Sequence, residues 1–173
     1  MKVLFLDIDG VLNGHDWNDE AKSCNIRREC VAHLNRVIQE TDCRIVLSSA
    51  WRYIVHGGDM TLRGFGYLLR THGMRATLGG DGFVASAQRI IGLTDKDAEV
   101  VVLGQFGERG RQCRAWLDGW NGGGRSVLPG AVSAYVAVDD EDHEFAASGI
   151  PAVITDGGKG MTAADADQIG RAS

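Results

Sequence analysis

The 173-residue sequence lacks several features that mark whole classes of protein. No stretch approaches the ~20 consecutive apolar residues needed to cross a bilayer, so no transmembrane helix is expected. The apolar start Met1-Lys2-Val3-Leu4-Phe5-Leu6 is broken by Asp7 and Asp9 before the core of a secretory leader could form. A cytoplasmic protein is therefore expected. Cys24, Cys30, Cys43 and Cys113 form no Cys-x-x-Cys pair and have no His companions at zinc-finger spacing. They are expected to be buried or incidental thiols in a reducing compartment, and zinc is not expected. No Gly-x-Gly-x-x-Gly leads into a helix, which argues against a dinucleotide-binding Rossmann unit. A formal net charge of −5 argues against a broad surface for coating nucleic acid but leaves room for a local basic groove. No repeat, low-complexity tract or linker divides the chain, so residues 1–173 are expected to form a single domain. A domain of that length buries about 70% of its unfolded surface and needs no disulfide or structural metal to fold.

What is present is an alternation of short apolar runs and amphipathic segments. Lys2 to Leu6 reads as a buried strand that ends at acids and a glycine. From Arg27 to Thr41, Val31, Leu34, Val37 and Ile38 recur at three- and four-residue intervals, which predicts a helix with one buried face. His33, beside that stripe, reads as a helix-surface residue. Ile45-Val46-Leu47 is a second strand, stopping at Ser48-Ser49, and completes a βαβ unit with parallel strands and a right-handed crossover. A further helix is expected over Thr61 to Thr71, with Leu62, Phe65, Leu68 and Leu69 inward. Between Gly73 and Gly107, three segments could each be a strand: Arg75-Ala76-Thr77-Leu78, Arg89-Ile90-Ile91 and Val100-Val101-Val102-Leu103. Arg109 to Trp120 reads as a helix burying Cys113, Trp116 and Leu117, stopped by Gly122-Gly123-Gly124. Tyr135 to Val138 is a strand running into Asp139-Asp140, and Ala152 to Ile154 is another. A terminal helix is expected from Thr162 to Gln168, capped by Thr162. The sum is an α/β fold: a doubly wound, mostly parallel sheet with helices on both faces.

In such sheets ligands bind beyond the carboxyl ends of the strands. Three strands deliver polar residues there: Asp7 and Asp9, Ser48 and Ser49, Asp139 and Asp140. Asp7 and Asp9, two residues apart, are expected to project to the same side, bringing four carboxylates to one edge. Like charges that close repel, and a hard, oxygen-seeking divalent cation such as magnesium would relieve the repulsion.

The segment Asp7-Ile8-Asp9-Gly10-Val11-Leu12-Asn13 resembles the first motif of the haloacid dehalogenase (HAD) phosphohydrolases. Ile45-Val46-Leu47-Ser48 resembles the second and Val136-Ala137-Val138-Asp139-Asp140 the fourth. More narrowly, Leu47-Ser48-Ser49-Ala50-Trp51-Arg52 and Arg109-Gly110 leading to Trp116-Leu117 look like a subgroup found in multidomain RNA-repair proteins, the Swiss Army Knife proteins. The resemblance implies a three-layered HAD-like fold and a magnesium-dependent phosphoric monoester hydrolase. Asp7 would be the nucleophile that forms an aspartyl-phosphate, and Asp9 the general acid and base. Magnesium would be held by Asp7, the Asp9 backbone carbonyl and Asp139, with Asp140 acting through water. Ser48 would donate to a phosphoryl oxygen, with Ser49 as its rival. The family's third motif is a Lys or Arg. No Lys stands just before the fourth strand, so Arg109 is the choice, with Arg111 and Lys159 as alternatives. Asn13 and Arg52 are candidate substrate contacts, Arg52 by reaching over the site to a phosphate. Trp17 and Trp51 read as packing residues, with stacking on a base as the alternative. Arg111 and Arg114 read as a solvated basic face, and Glu141, Asp142 and Glu144 as solvated acids at a helix N-terminus.

Family members usually select substrates through an inserted cap, and neither Asp9 to Arg27 nor Gly73 to Gly107 reads as an extra domain. An open site suits a large substrate, so the terminal phosphate of a polynucleotide is the expected substrate. A nucleotide or other small phosphomonoester is the alternative. From another class, the chain could be a regulatory domain that binds metal or phosphate without turnover, if no cation reaches the acids. A signalling receiver domain fits less well, because its phosphoacceptor ends a middle strand and Asp7 ends the first.

Overall fold

A computed structural model describes residues 1–14, 25–75, 89–94, 108–121, 131–145 and 148–172. The elements are β1 (Lys2–Leu6), α1 (Arg28–Thr41), β2 (Arg44–Leu47), α2 (Arg52–His56), α3 (Leu62–Thr71) and β3 (Ile90–Leu93). They continue with α4 (Glu108–Asn121), β4 (Ala134–Asp139), a 3-10 turn (Asp142–Glu144), β5 (Ala152–Ile154) and α5 (Ala163–Ala172). All five strands run parallel in the order β3-β2-β1-β4-β5. The chain winds outward from β1 to β2 and β3, then returns to β1's other side for β4 and β5. The point of reversal lies between β1 and β4, where an open α/β sheet parts its loops to make a crevice. Register is tight there: Leu6 faces Val138, and the Asp7 N–H donates to Val138 O at 3.1 Å.

Because a strand's side chains alternate, each central strand feeds two cores. Leu4, Leu6, Ile45, Leu47, Val136 and Val138 join one core, with the buried faces of α1, α3 and α5. Val3, Phe5, Val46 and Ala137 join the other, with Cys113, Trp116, Leu117 and Trp120 of α4. Phe5 meets Trp116 edge to face at 5.7 Å, and Trp116 stacks on Trp120 at 5.0 Å. The βαβ unit and the helices over 28–41 and 108–121 agree with the periodicity. Cys30, Cys43 and Cys113 are buried free thiols, and burial pushes the Cys113 thiol up to about 12. No helix of the described residues is long and apolar enough to cross a membrane.

Several elements differ from expectation. Helix α2 has only five residues, too few for any apolar repeat to reveal it. Leu62 and Leu68 are partly buried at the rim, whereas Phe65 and Leu69 are fully inside. The terminal helix runs on to Ala172. Its first turn is a reciprocal cap, with Thr162 N–H and hydroxyl on Asp165 at 2.8 and 2.7 Å. Of the three candidate strands between 73 and 107, Ile90–Leu93 joins the sheet. The segments 76–78 and 100–103, the glycine run 122–124 and the stretches weighed for a cap, 15–24 and most of 73–107, lie outside the described residues.

Candidate active site

The site is assembled from the residues that follow β1, β2 and β4 and from the first turn of α4. Asp7, the first residue past β1, is 2% exposed. Its Oδ1 lies 3.0 Å from Arg109 Nη1, an ion-pair contact without hydrogen-bond geometry, and no hydrogen-bond donor reaches that oxygen. Arg109 Nη1 also donates to Asp139 Oδ2 at 2.7 Å. The guanidinium is steered there because its own backbone N–H is held by Glu144 at 3.1 Å. Asp139, fully buried at the end of β4, takes the Glu141 N–H on its other oxygen at 3.0 Å. Asp7, Asp139 and Asp140 each offer a carboxylate oxygen, all within 4.8 Å of one another.

Three carboxylates so close in a buried crevice repel one another when all are ionised. Burial raises the Asp7 carboxyl from 3.8 to about 7, although Arg109 pulls it down; Asp139 pushes it further up and a Ser49 hydrogen bond lowers it. Burial likewise raises Asp139, against Arg109. Burial disfavours the Arg109 cation, but Asp7 and Asp139 overcome this and hold it firmly charged. The acids gain from Arg109 less than burial takes away. Asp7 Oδ1, which accepts no hydrogen bond, and the mutual repulsion of the carboxylates make this trio a fitting oxygen-donor set for a hard divalent cation.

Gly10 makes the geometry possible. Its φ is +73°, in the left-handed region, and a Cβ there would collide with the Asp140 carboxyl. The turn carries Asp9 away from the acid trio, so three carboxylates converge and not four. Asp9 accepts Trp51 Nε1–H on both oxygens, at 3.2 and 3.1 Å, and Asn13 Nδ2–H on Oδ1 at 2.8 Å. Trp51, which also meets Phe65 at 6.0 Å, thus does more than pack: it orients Asp9. Nothing in the linear pattern signalled that contact, because it depends on the turn into α2.

Other expected residues are placed as follows. Asn13 is buried, with its amide oxygen on Gly10 N–H at 2.9 Å and its nitrogen on Asp9. It staples the loop. Arg52 does not reach over the site: it is 4% exposed, with Nη1 on Ser49 O at 3.1 Å and its guanidinium 4.9 Å from the Tyr53 ring. Ser48 turns to Cys113 Sγ at 3.5 Å, whereas Ser49 hydrogen-bonds Asp7. The hydroxyl beside the first acid is therefore Ser49, the rival and not the first choice. Among the described cations Arg109 reaches the acids. Lys159 is 73% exposed and pairs with Asp156 at 2.7 Å, and Arg111 is half-buried. Arg114 is no free basic face, for it lies 5.6 Å over Tyr135 and donates to Gly149 O. Glu144 departs from the solvated reading by holding the Arg109 backbone. Trp17 lies outside the described residues.

Chemically, the arrangement offers a buried carboxylate with one open oxygen, a cation against it, a hydroxyl beside it and a second carboxyl fixed nearby. No curated protein and no solved structure matches the chain. The family described as HAD domain in Swiss Army Knife RNA repair proteins matches residues 3–166, and the chain belongs to that family, carrying a HAD-type hydrolase domain.

Proposed function

We propose that the protein is a magnesium-dependent phosphatase that works through an aspartyl-phosphate on Asp7 and acts on the terminal phosphate of a polynucleotide. The observation that carries the chemistry is the placing of Asp7, buried at the β1/β4 reversal, against Arg109 and Ser49 and beside Asp139 and Asp140. Asp7, Asp139 and Asp140 would hold the magnesium, together with the Asp9 carbonyl. When bound, the ion neutralises charge on these carboxylates and on the phosphoryl oxygens.

The Asp7 carboxylate attacks phosphorus, forming an acyl-phosphate bond as the bond to the leaving oxygen breaks. Asp9 gives that oxygen its proton. Asn13 occupies Oδ1 of Asp9, which leaves Oδ2, shared only with the Trp51 N–H, as the oxygen that carries the proton. Asp9 then takes a proton from water as the water attacks phosphorus, which releases phosphate and restores Asp7. Arg109 draws Asp7 toward its ionised form, against burial, and would offset charge on the transferring group, with the Ser49 hydroxyl acting on Asp7 as well. The contact of Arg109 with the acids favours turnover over the competing reading, a binding domain without turnover.

The test is phosphate release from an aryl phosphate, from nucleotides and from an end-phosphorylated oligonucleotide, with magnesium or with chelator. Release that needs magnesium, disappears in Asp7→Asn and favours the oligonucleotide supports the reading. A preference for nucleotides would replace the polynucleotide with a small phosphomonoester, and magnesium binding without release would favour the binding domain.

A further inference from the structure

The charge of the chain is unevenly spread. Against a net charge of −5, the segment from Arg52 to Arg75 holds Arg52, Arg63, Arg70 and Arg75 and a single acid, Asp59. Arg63, Tyr67 and Arg70 are all exposed, and their spacing of four and three residues sets them along one face of α3, with Tyr67 55% exposed. Beside this face a groove of about 370 Å³ opens between α1 and the chain leaving α3, lined by Arg28, Asn35, Arg36, His72 and Arg75 among others.

The groove is a built feature. Asn35, buried in α1, clamps the far wall with Nδ2 on Gly73 O at 2.9 Å and Oδ1 on Arg75 N–H at 2.7 Å. Arg28 reaches across to Thr71 O at 3.2 Å, a neutral acceptor that leaves its charge uncompensated. Arg36 is offset by Glu40 and Asp167, so Arg28 and Arg75 carry most of the groove's positive field. His72 directs Nδ1 to Leu68 O at 2.9 Å, which turns its other ring nitrogen away from that carbonyl.

Both walls start at the candidate active site. The N-terminus of α1 is tied to the Asp7–Asn13 loop by Arg27 N–H on Leu12 O at 2.7 Å, and the chain into α2 and α3 starts from Trp51 on Asp9. We propose that the α3 face and the α1–α3 groove form a track for a single-stranded polynucleotide: arginines contact successive phosphodiesters and Tyr67 offers a ring for one base to stack on. Basic side chains interleaved with an exposed aromatic suit a strand whose bases are unpaired. From Arg28 to Arg36 the axis of α1 covers about 12 Å, the length of a few nucleotides of a single strand. The track deepens the phosphatase reading by naming how the polynucleotide is held, and it rests on that reading for the role of its end.

The test uses full-length protein and a fluorescent single-stranded oligonucleotide of about ten nucleotides without a terminal phosphate, so that binding is read apart from chemistry. With two to three phosphate contacts, log affinity should fall with log salt at a slope of about −2. Arg70→Ala/Arg75→Ala should weaken binding about 10-fold or more and flatten that slope, whereas Tyr67→Ala should weaken it about 10-fold with the slope kept. Aryl phosphate turnover should be unchanged in both variants. Equal binding by wild type and the arginine variant would overturn the track, as would a poly-glutamate peptide competing as well as an oligonucleotide of equal charge. Failure of aryl phosphate hydrolysis with oligonucleotide binding intact would instead remove the phosphatase reading and leave the track.

Discussion

Asp7→Asn should make the metal-free protein more stable at neutral and alkaline pH, although it removes a charged group that touches Arg109. The folded carboxyl titrates at about 7 against 3.8 as its ordinary value, because burial outweighs the help of Arg109. A group raised in this way contributes its full stability below pH 3.8 and loses it as pH rises through 7. The difference of about three pH units corresponds to about 4 kcal/mol between the two ends of that window. Asparagine has no charge to bury, and its amide can take the same position. In chelator, urea denaturation of wild type and Asp7→Asn at several pH values from 4.5 to 8.5 (roughly the span of the titration) should give curves that diverge with rising pH. The variant's advantage should reach about 2–4 kcal/mol at the alkaline end. Magnesium should abolish the advantage, since it binds the folded wild type and stabilises it by mass action. Parallel wild-type and variant profiles across this range would refute the account of a desolvated Asp7.

Trp51→Phe keeps a ring against Phe65 but deletes the N–H held by Asp9. Steady-state kinetics on an aryl phosphate should show kcat reduced about 10-fold or more with KM little changed, from the loss of one hydrogen bond to a charged group. Ser49→Ala should lower kcat about 10-fold to 100-fold and Ser48→Ala much less, because Ser49 is the hydroxyl on Asp7 and Ser48 faces Cys113. Gly10→Ala should cost about 1–3 kcal/mol in urea denaturation through its left-handed φ. The same variant should shift the magnesium midpoint upward, because the new methyl group displaces Asp140.

The strand ends were legible in the sequence because an apolar run that stops at Asp or Ser marks both a buried strand and the edge where it delivers its side chains. Lys2–Leu6, Arg44–Leu47 and Ala134–Asp139 follow that pattern closely. The acids could thus be brought to one edge before any coordinates. Which of Ser48 and Ser49 faces Asp7 was not legible, because β2 is buried on both faces and its alternation carries no polar mark. The direction of Asp9 was equally hidden: it depends on the backbone leaving the strand at Gly10 and on Trp51 arriving from the turn that follows β2. Arg52 read as a free cation because charge alone does not reveal burial, and Arg109 could be chosen only among several arginines until Glu144 was seen to hold its backbone. The α1–α3 groove was not legible because its arginines come from α1 and from the chain leaving α3, which the linear pattern does not bring together.

The central claim is a covalent phosphoryl group on Asp7, and acid quenching during turnover, followed by peptide mass spectrometry, tests it most directly. With magnesium and a phosphomonoester, the peptide containing Asp7 should carry a phosphoryl group on that residue. It should accumulate in Asp9→Asn, where hydrolysis of the acyl-phosphate is slowed, and be missing in chelator. Steady release of phosphate with no phosphorylated Asp7 in either protein would contradict the account.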